Sequence, residues 1–290
     1  MSRYRDIVTP AVVADHINDP SWVILDCRFT LSDPEDGAEA YAEGHLPGAR
    51  YADLERDLSG PRDGRSGRHP LPRPAAFADT LRAWGIGPGT QVVAYDEASS
   101  VYASRLWWLM RGFWGHEAVA VLDGGLMAWL AERRPLTTEV PKGSAGAAYP
   151  RSSHADGVWL DTAAVEAVVR GGDGRLLVDA RGLARYRGTT EPFDPVAGHI
   201  PGARNRPFEG NLRPDRTFRP ADELRSEFLA LLDGRPAGEI VHYCGSGVSA
   251  CHNILAMARA GLGVTALYPG SWSAWVSDRD RPVATGDRPE

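Results

Sequence analysis

The second half of this chain repeats the first, and nothing else in its 290 residues constrains the fold so tightly. Val23-Ile24-Leu25-Asp26-Cys27-Arg28 matches Leu176-Leu177-Val178-Asp179-Ala180-Arg181, each an apolar run that ends in Asp-x-Arg. Gly44-His45-Leu46-Pro47-Gly48-Ala49-Arg50 returns as Gly198-His199-Ile200-Pro201-Gly202-Ala203-Arg204. Val92-Val93-Ala94-Tyr95-Asp96 aligns with Ile240-Val241-His242-Tyr243-Cys244, and Gly124-Gly125-Leu126-Met127-Ala128-Trp129 with Gly270-Ser271-Trp272-Ser273-Ala274-Trp275. The blocks keep their order and nearly their spacing, so two copies of one domain are expected.

Short continuous apolar runs rich in Val and Ile read as strands buried on both faces, whereas Ala75 to Trp84, Asp222 to Leu232 and Ala250 to Ala260 read as helices. Their alternation predicts an α/β fold with a mainly parallel sheet, flanked by helices, in each copy. Thr137 to Gly157 is rich in Pro, Gly, Ser and Ala without periodicity, as a linker would be. The expected division is a domain over residues 1–138, a linker over 139–156 and a second domain over 157–290. A hydrophobic content of 43% supplies a core to each.

The first thirty residues carry no apolar run before a cleavage-like site, and no stretch approaches membrane-spanning length, so a cytoplasmic protein with no membrane partner is expected. With 32 basic and 38 acidic side chains the net charge is −6, both signs are interspersed, and nucleic acid is not an expected partner. A small anion would have to be held by local arginines or backbone N–H groups. Three cysteines, Cys27, Cys244 and Cys251, cannot all pair, and none lies in a C-x-x-C arrangement.

One of the three stands in a telling place. Glu239 to Tyr243 is a candidate strand and Ala250 onward a candidate helix closed by Gly261, so Cys244-Gly245-Ser246-Gly247-Val248-Ser249 is the turn between them. In open α/β sheets such turns lie at the carboxyl ends of the strands, where ligands bind. Gly245 and Gly247 allow positive φ, so successive N–H groups, Val248 among them, can curve around one atom, and the helix adds its positive end. A thiolate there is favoured over a thiol, with Ser246 and Ser249 as further donors. The plain alternative is a small buried cysteine at a strand end. The repeat weighs against it: Asp96 occupies the equivalent place, followed by Glu97-Ala98-Ser99-Ser100 without glycines, as though one copy keeps a functional loop and the other needs none.

The cysteine loop, the paired Gly-His-apolar-Pro-Gly-Ala blocks and the Gly270-to-Trp275 block together resemble the tandem-domain rhodaneses, the thiosulfate and 3-mercaptopyruvate sulfurtransferases, over nearly the whole chain. The resemblance implies an inactive first domain and a catalytic second one, in which Cys244 carries sulfur as a persulfide. It implies a small anionic sulfur donor, a thiol, a thioredoxin-like protein or cyanide as acceptor, and no metal or organic cofactor. The C-G-S-G-V-S-A loop is similar to that of the mercaptopyruvate enzymes, with Ser249 for Thr; thiosulfate enzymes usually place a cation after the cysteine. Arg185 falls on the family's substrate-binding arginine, and a guanidinium suits a carboxylate or thiosulfate oxygens. A second arginine, common in the mercaptopyruvate enzymes after a Pro-Glu-Pro stretch, is missing from Glu191-Pro192-Phe193-Asp194-Pro195, which leaves thiosulfate open as the donor. Glu55 and His69 fall on the acid and histidine that, with Ser246, form the family's proton relay, Glu55 replacing the usual Asp.

The remaining candidates have structural readings. Arg181 and Arg187 read as ion-paired or solvated loop residues, His45 and His199 as local hydrogen-bonders because both copies carry them, and Cys27 and Cys251 as packing residues. His242 and His252 flank the loop without a spacing that demands catalysis. Phosphatases of the same fold require an arginine six residues after the cysteine, where this chain has Ala250. A binding module without chemistry is the other rival, opposed by the intact cysteine and loop glycines.

Overall fold

Apolar runs become adjacent parallel strands in each half of the chain. The computed structural model describes residues 4–141, 148–152, 156–172 and 174–287. It forms two compact units: one takes the chain up to Gly60, Leu71–Ala155, which includes nearly all of the expected linker, and Pro214–Thr217; the other takes Pro61–Pro70, Asp156–Arg213 and everything from Phe218. Pro61–Pro70 thus packs with the second unit although it lies deep in the first half of the sequence. Part of the expected linker, residues 142–147 and 153–155, lies outside the described residues.

In the first unit, β1 (Ile7–Val8), β2 (Trp22–Asp26), β3 (Arg50–Tyr51), β4 (Gln91–Tyr95) and β5 (Val119–Leu122) form one sheet in the order β1-β5-β4-β2-β3, every pair parallel. Between them run α1 (Pro10–Asp15), α2 (Asp36–Glu43), α3 (Pro74–Ala83), α4 (Val101–Trp108), which continues into a π-helical turn over Leu109–Trp114, and α5 (Gly125–Ala131). The second unit has a parallel sheet β7-β6-β8-β9, with β6 (Leu176–Asp179), β7 (Arg204–Asn205), β8 (Ile240–Tyr243) and β9 (Ala266–Leu267). Its helices are α6 (Thr162–Val169), α7 (Leu183–Arg187), α8 (Ala221–Leu232), α9 (Ala250–Arg259) and α10 (Ser271–Trp275). Trp159 adds a parallel bridge to Leu267 where β1 pairs with β5 in the first unit. Among the described residues no helix is long and apolar enough to cross a membrane.

The repeated words of the sequence do the same physical work twice. Arg28 clasps the fully buried Asp26 through Nε (3.1 and 3.0 Å) and Nη2 (2.7 Å), and Nη2 also donates to the Gly44 carbonyl at 2.7 Å. Arg181 does this to Asp179 (3.1, 3.0 and 2.6 Å) and to the Gly198 carbonyl at 2.7 Å. The pair therefore ties the end of one strand to the turn that begins Gly-His. Within that turn His45 Nδ1 donates to the Tyr41 carbonyl at 2.8 Å and stacks on the Tyr41 ring, and His199 does likewise with Tyr186. The duplicated tryptophans close each core: Trp129 and Trp275 are buried, and their indole N–H groups donate to the carbonyls of Pro135 and Pro282 at 2.9 and 2.8 Å.

Both sheets reverse direction once. From β6 the chain goes outward to β7 and then crosses to β8 on the other side, so the segments leaving the carboxyl ends of β6 and β8 diverge and open a crevice between them. β2 and β4 make the same switch in the first unit.

Because Asp179 is fully buried, Arg181→Met would leave a carboxylate without its clasp, at a cost of about 3–5 kcal/mol. Denaturant unfolding of the full chain checks this; a loss below about 1 kcal/mol would show that the pair does not hold the turn to the strand.

Candidate active site

Cys244 is the first residue beyond β8, at the topological switch, and is 2% exposed. The turn after it folds back because Gly247 takes φ +77°, and a methyl group there would lie 2.5 Å from the Pro269 carbonyl oxygen, so glycine is required on both counts. The Cys244 N–H donates to Ser271 Oγ at 3.1 Å, while Trp272 and Ser273 donate their N–H groups to the carbonyls of Cys244 and Gly245 at 3.0 and 2.9 Å. The N-terminal end of α10 thereby pins the base of the loop. Burial opposes ionisation of the thiol, but the Ser249 hydroxyl and the N–H groups of Ser246, Ala250 and Val248 bind the sulfur and outweigh it. The net effect is a pKa below that of an ordinary cysteine. The other two thiols lack this setting: Cys27 is pushed well up by burial and then by the charge of Asp96, and Cys251 is wholly buried with Sγ 3.4 Å from the Gly247 carbonyl.

Around the loop stand residues from three stretches of the second unit. Pro61–Pro70 is anchored by the Arg68 N–H, which donates to Ser273 Oγ at 3.1 Å, and by Gly67, whose φ is +88°. This places buried His69 with Nδ1 2.8 Å from Ser246 Oγ. Arg185, on α7, donates from Nε (3.2 Å) and Nη2 (2.7 Å) to the Glu191 carboxylate. A methyl group placed on Gly245 would lie 3.2 and 3.3 Å from Nη2 and Nη1 of Arg185. Cys244, Gly245, Ser246, Gly247, Val248, Ser249, Arg185 and His69 are thus brought together. Glu55 belongs to the first unit, on an exposed turn after β3 where its N–H donates to Asp53 at 2.8 Å.

Several residues have other duties. Arg181 is consumed by Asp179 and lies over the Trp272 ring, and Arg187 pairs with Asp287 on the surface. His242 is fully buried, donates from Nε2 to Met257 Sδ at 3.1 Å, and is held at a pKa of about 3 by that burial. His252 is buried and stacks on Phe218. No group of three or more His, Cys, Asp or Glu side chains among the described residues is placed to hold a metal ion.

The first unit corrects one reading of the sequence. The turn after β4 is not a discarded cradle. Its N–H groups close around the Asp96 carboxylate: Ala98 and Ser100 donate to Oδ1 at 2.9 and 2.8 Å, and Tyr102 and Ala103 to Oδ2 at 2.8 and 2.9 Å. Ser99, at the place of Gly247, takes φ of 61° and Ser100 takes 66°, whereas Gly245, matched by Glu97, does not use the positive φ the sequence allows it. Asp96 is 1% exposed, and burial pushes its carboxyl up to about 6 against these four donors.

Arg68, Glu191 and Asp194 were not singled out by the sequence. Their only signal was a run of charge beside prolines, which a solvated loop shares.

The family model for the rhodanese-like domain matches twice, over residues 9–132 and 163–278. A Pseudomonas aeruginosa protein named a probable 3-mercaptopyruvate sulfurtransferase is 48% identical over 284 residues, 97% of this chain and 98% of its own. The thiosulfate sulfurtransferase of Bos taurus is 34% identical, covering 94% of this chain and 92% of its own. The structure of the 3-mercaptopyruvate sulfurtransferase from Leishmania major superposes with a TM-score of 0.80 at 31% identity, over 93% of this chain and 73% of that one. The chain belongs to the rhodanese family, as a tandem-domain sulfurtransferase.

The cradle sets a measurable property. Alkylation of Cys244 by iodoacetamide is expected to titrate below the range of an ordinary thiol, because the donors favour the thiolate. Ser249→Ala, which removes one donor, should move the midpoint upward. A native midpoint at or above the ordinary value would contradict the cradle.

Proposed function

We propose that Cys244 is the nucleophile of a ping-pong sulfur transfer, with 3-mercaptopyruvate the favoured donor. The observation that carries this reading is the thiol held by Ser249 and by three backbone N–H groups, since it is a thiolate that attacks. The thiolate attacks the donor's terminal sulfur and a sulfur–sulfur bond forms on Cys244. With mercaptopyruvate the carbon–sulfur bond breaks and its electron pair stays on carbon as the pyruvate enolate; with thiosulfate the sulfur–sulfur bond breaks and sulfite departs. The same N–H groups then face the persulfide, which an acceptor thiol, a thioredoxin-like protein or cyanide attacks at the outer sulfur. No metal or organic cofactor enters these steps. The reading keeps the enzyme in the cytoplasm, where a free thiol stays reduced.

Donor choice rests on the loop and on proton management. Gly245-Ser246-Gly247 carries no cation of its own after the cysteine, as in the mercaptopyruvate enzymes. An enolate needs a proton, and His69 beside Ser246 is positioned to relay one; sulfite needs none. Arg185 would hold the donor's anionic end. A role for Glu55 as the relay's outer member rests on the resemblance alone; the assignment of residues 1–138 as the half without a nucleophile rests on the resemblance and on Asp96 in the cysteine's place, although His69 comes from that half of the sequence. Thiosulfate remains the second reading, since the Arg185 guanidinium suits its oxygens equally.

Steady-state assays with both donors and cyanide test the proposal. Cys244→Ser should lose at least about a thousandfold in rate with either donor. His69→Ala should lower kcat with mercaptopyruvate by about a hundredfold and affect thiosulfate much less. Full transfer by Cys244→Ser would end the assignment, and equal losses with both donors in His69→Ala would end the proton-relay role.

A further inference from the structure

We propose that Ser273, on α10, is a positioning residue: its side chain tethers the Pro61–Pro70 loop to the cysteine loop and so holds His69 within reach of Ser246. The inference rests on the sulfur-transfer reading with its proton relay, and adds a residue that reading does not contain.

Ser273 makes two attachments at once. Its N–H donates to the Gly245 carbonyl at 2.9 Å, next to the nucleophile. Its hydroxyl donates to the Gly270 carbonyl at 3.2 Å, which leaves an oxygen lone pair to accept the Arg68 N–H at 3.1 Å. Arg68 directly precedes His69, whose Nδ1 is 2.8 Å from Ser246 Oγ. One residue thus binds the loop that carries the thiol and the loop that carries the histidine, in each case one residue away from the group concerned.

The approach of the two loops is close. A methyl group on Gly67 would lie 2.5 Å from the Gly270 carbonyl oxygen and 2.9 Å from Ser273 Oγ, and φ there is +88°, so glycine is what lets the backbone come down onto α10. Away from this foot the loop holds itself together: Asp63 Oδ1 accepts from the N–H groups of Arg65 and Ser66 at 2.8 and 2.7 Å. The Arg68 side chain also pairs with Asp194, but through a long, rotatable arm. The backbone bond to Ser273 is the shorter lever on His69.

The first half of the sequence supplies a comparison. Met127 stands at the place of Ser273 in the last repeated block, and it is 53% exposed. A loop approaches the turn there too, since Thr217 Cγ2 lies 3.3 Å from where a methyl group on Gly124 would be. A thioether accepts hydrogen bonds only weakly, so packing such a loop does not require a hydroxyl. The hydroxyl is found in the copy in which a histidine has to be held at the cradle.

Amide hydrogen exchange by NMR and kinetics of Ser273→Ala test the tether. The Arg68 amide is expected to exchange about tenfold faster, while the iodoacetamide midpoint of Cys244 is unchanged because the Ser273 N–H still holds Gly245. With mercaptopyruvate kcat should fall about tenfold and KM stay within about twofold, and thiosulfate transfer should be affected much less. Added to His69→Ala, Ser273→Ala should lower the rate no further, because it acts through that ring. Gly67→Ala displaces the same loop by a second route and should show the same pattern. An unchanged Arg68 amide, or a faster one with wild-type kcat, would overturn the proposal and leave sulfur transfer standing. Equal losses with both donors, a raised thiol midpoint or additive losses in the double variant would overturn it by showing that Ser273 only supports the cysteine loop. A faster Arg68 amide in a protein that gains no sulfur on Cys244 would keep the tether and end the sulfur-transfer reading.

Discussion

An anionic atom enclosed by backbone N–H groups at the carboxyl end of a central strand is the constraint around which each half of this protein is organised. N–H groups at the start of a helix have no partner within it, and a turn in which one or two residues take positive φ can aim them at a common point. Something negative must then sit there, or the donors are buried unsatisfied. In one half the occupant is the Asp96 carboxylate, built into the chain and permanent. In the other it is the sulfur of Cys244, whose proton those donors help to remove and which, in the proposed transfer, would take up a second sulfur without emptying the site. A single device thus encloses a carboxylate in one copy and, on the proposed reading, the reactive sulfur in the other.

The rest of the duplicated sequence keeps that point fixed. The Asp26–Arg28 and Asp179–Arg181 clasps hold the strand beside the cradle to the Gly-His turn, and the paired Tyr and His rings stack beneath it. These are buried charges whose worth lies in geometry: removing one partner is costly, although the intact pair adds little net stability. Gly125 and Ser271, at matching places in the last repeated block, both take positive φ, and the residue after each donates its N–H to the carbonyl of Asp96 or Cys244. The repeat of sequence is therefore a repeat of constraints, and chemistry was free to differ only at the atom they enclose.

Much of this was legible in the sequence because it depends on local pattern. The buried runs that became β2, β4, β6 and β8, the helices α3, α8 and α9, and the cysteine turn all follow from periodicity and glycine placement. Two features were not legible. In the sequence Asp96 reads as the loss of a loop, since glycine is the usual mark of positive φ, whereas Ser99 and Ser100 adopt it where the carboxylate offsets the strain with four hydrogen bonds. Arg68 was hidden because its partner Asp194 lies far along the chain, in a pairing set by the packing of Pro61–Pro70 with the second unit. His69 is marked in the sequence only by the family resemblance, for the same reason.

The central claim is that the sulfur held in the cradle is the one that carries the transferred atom. Intact-protein and peptide mass spectrometry after treatment with a donor in the absence of acceptor measures this directly. The account predicts a gain of one sulfur atom on the peptide containing Cys244, removed by cyanide and absent from Cys244→Ser. A gain located on Cys27 or Cys251, or no gain while transfer proceeds, would contradict it.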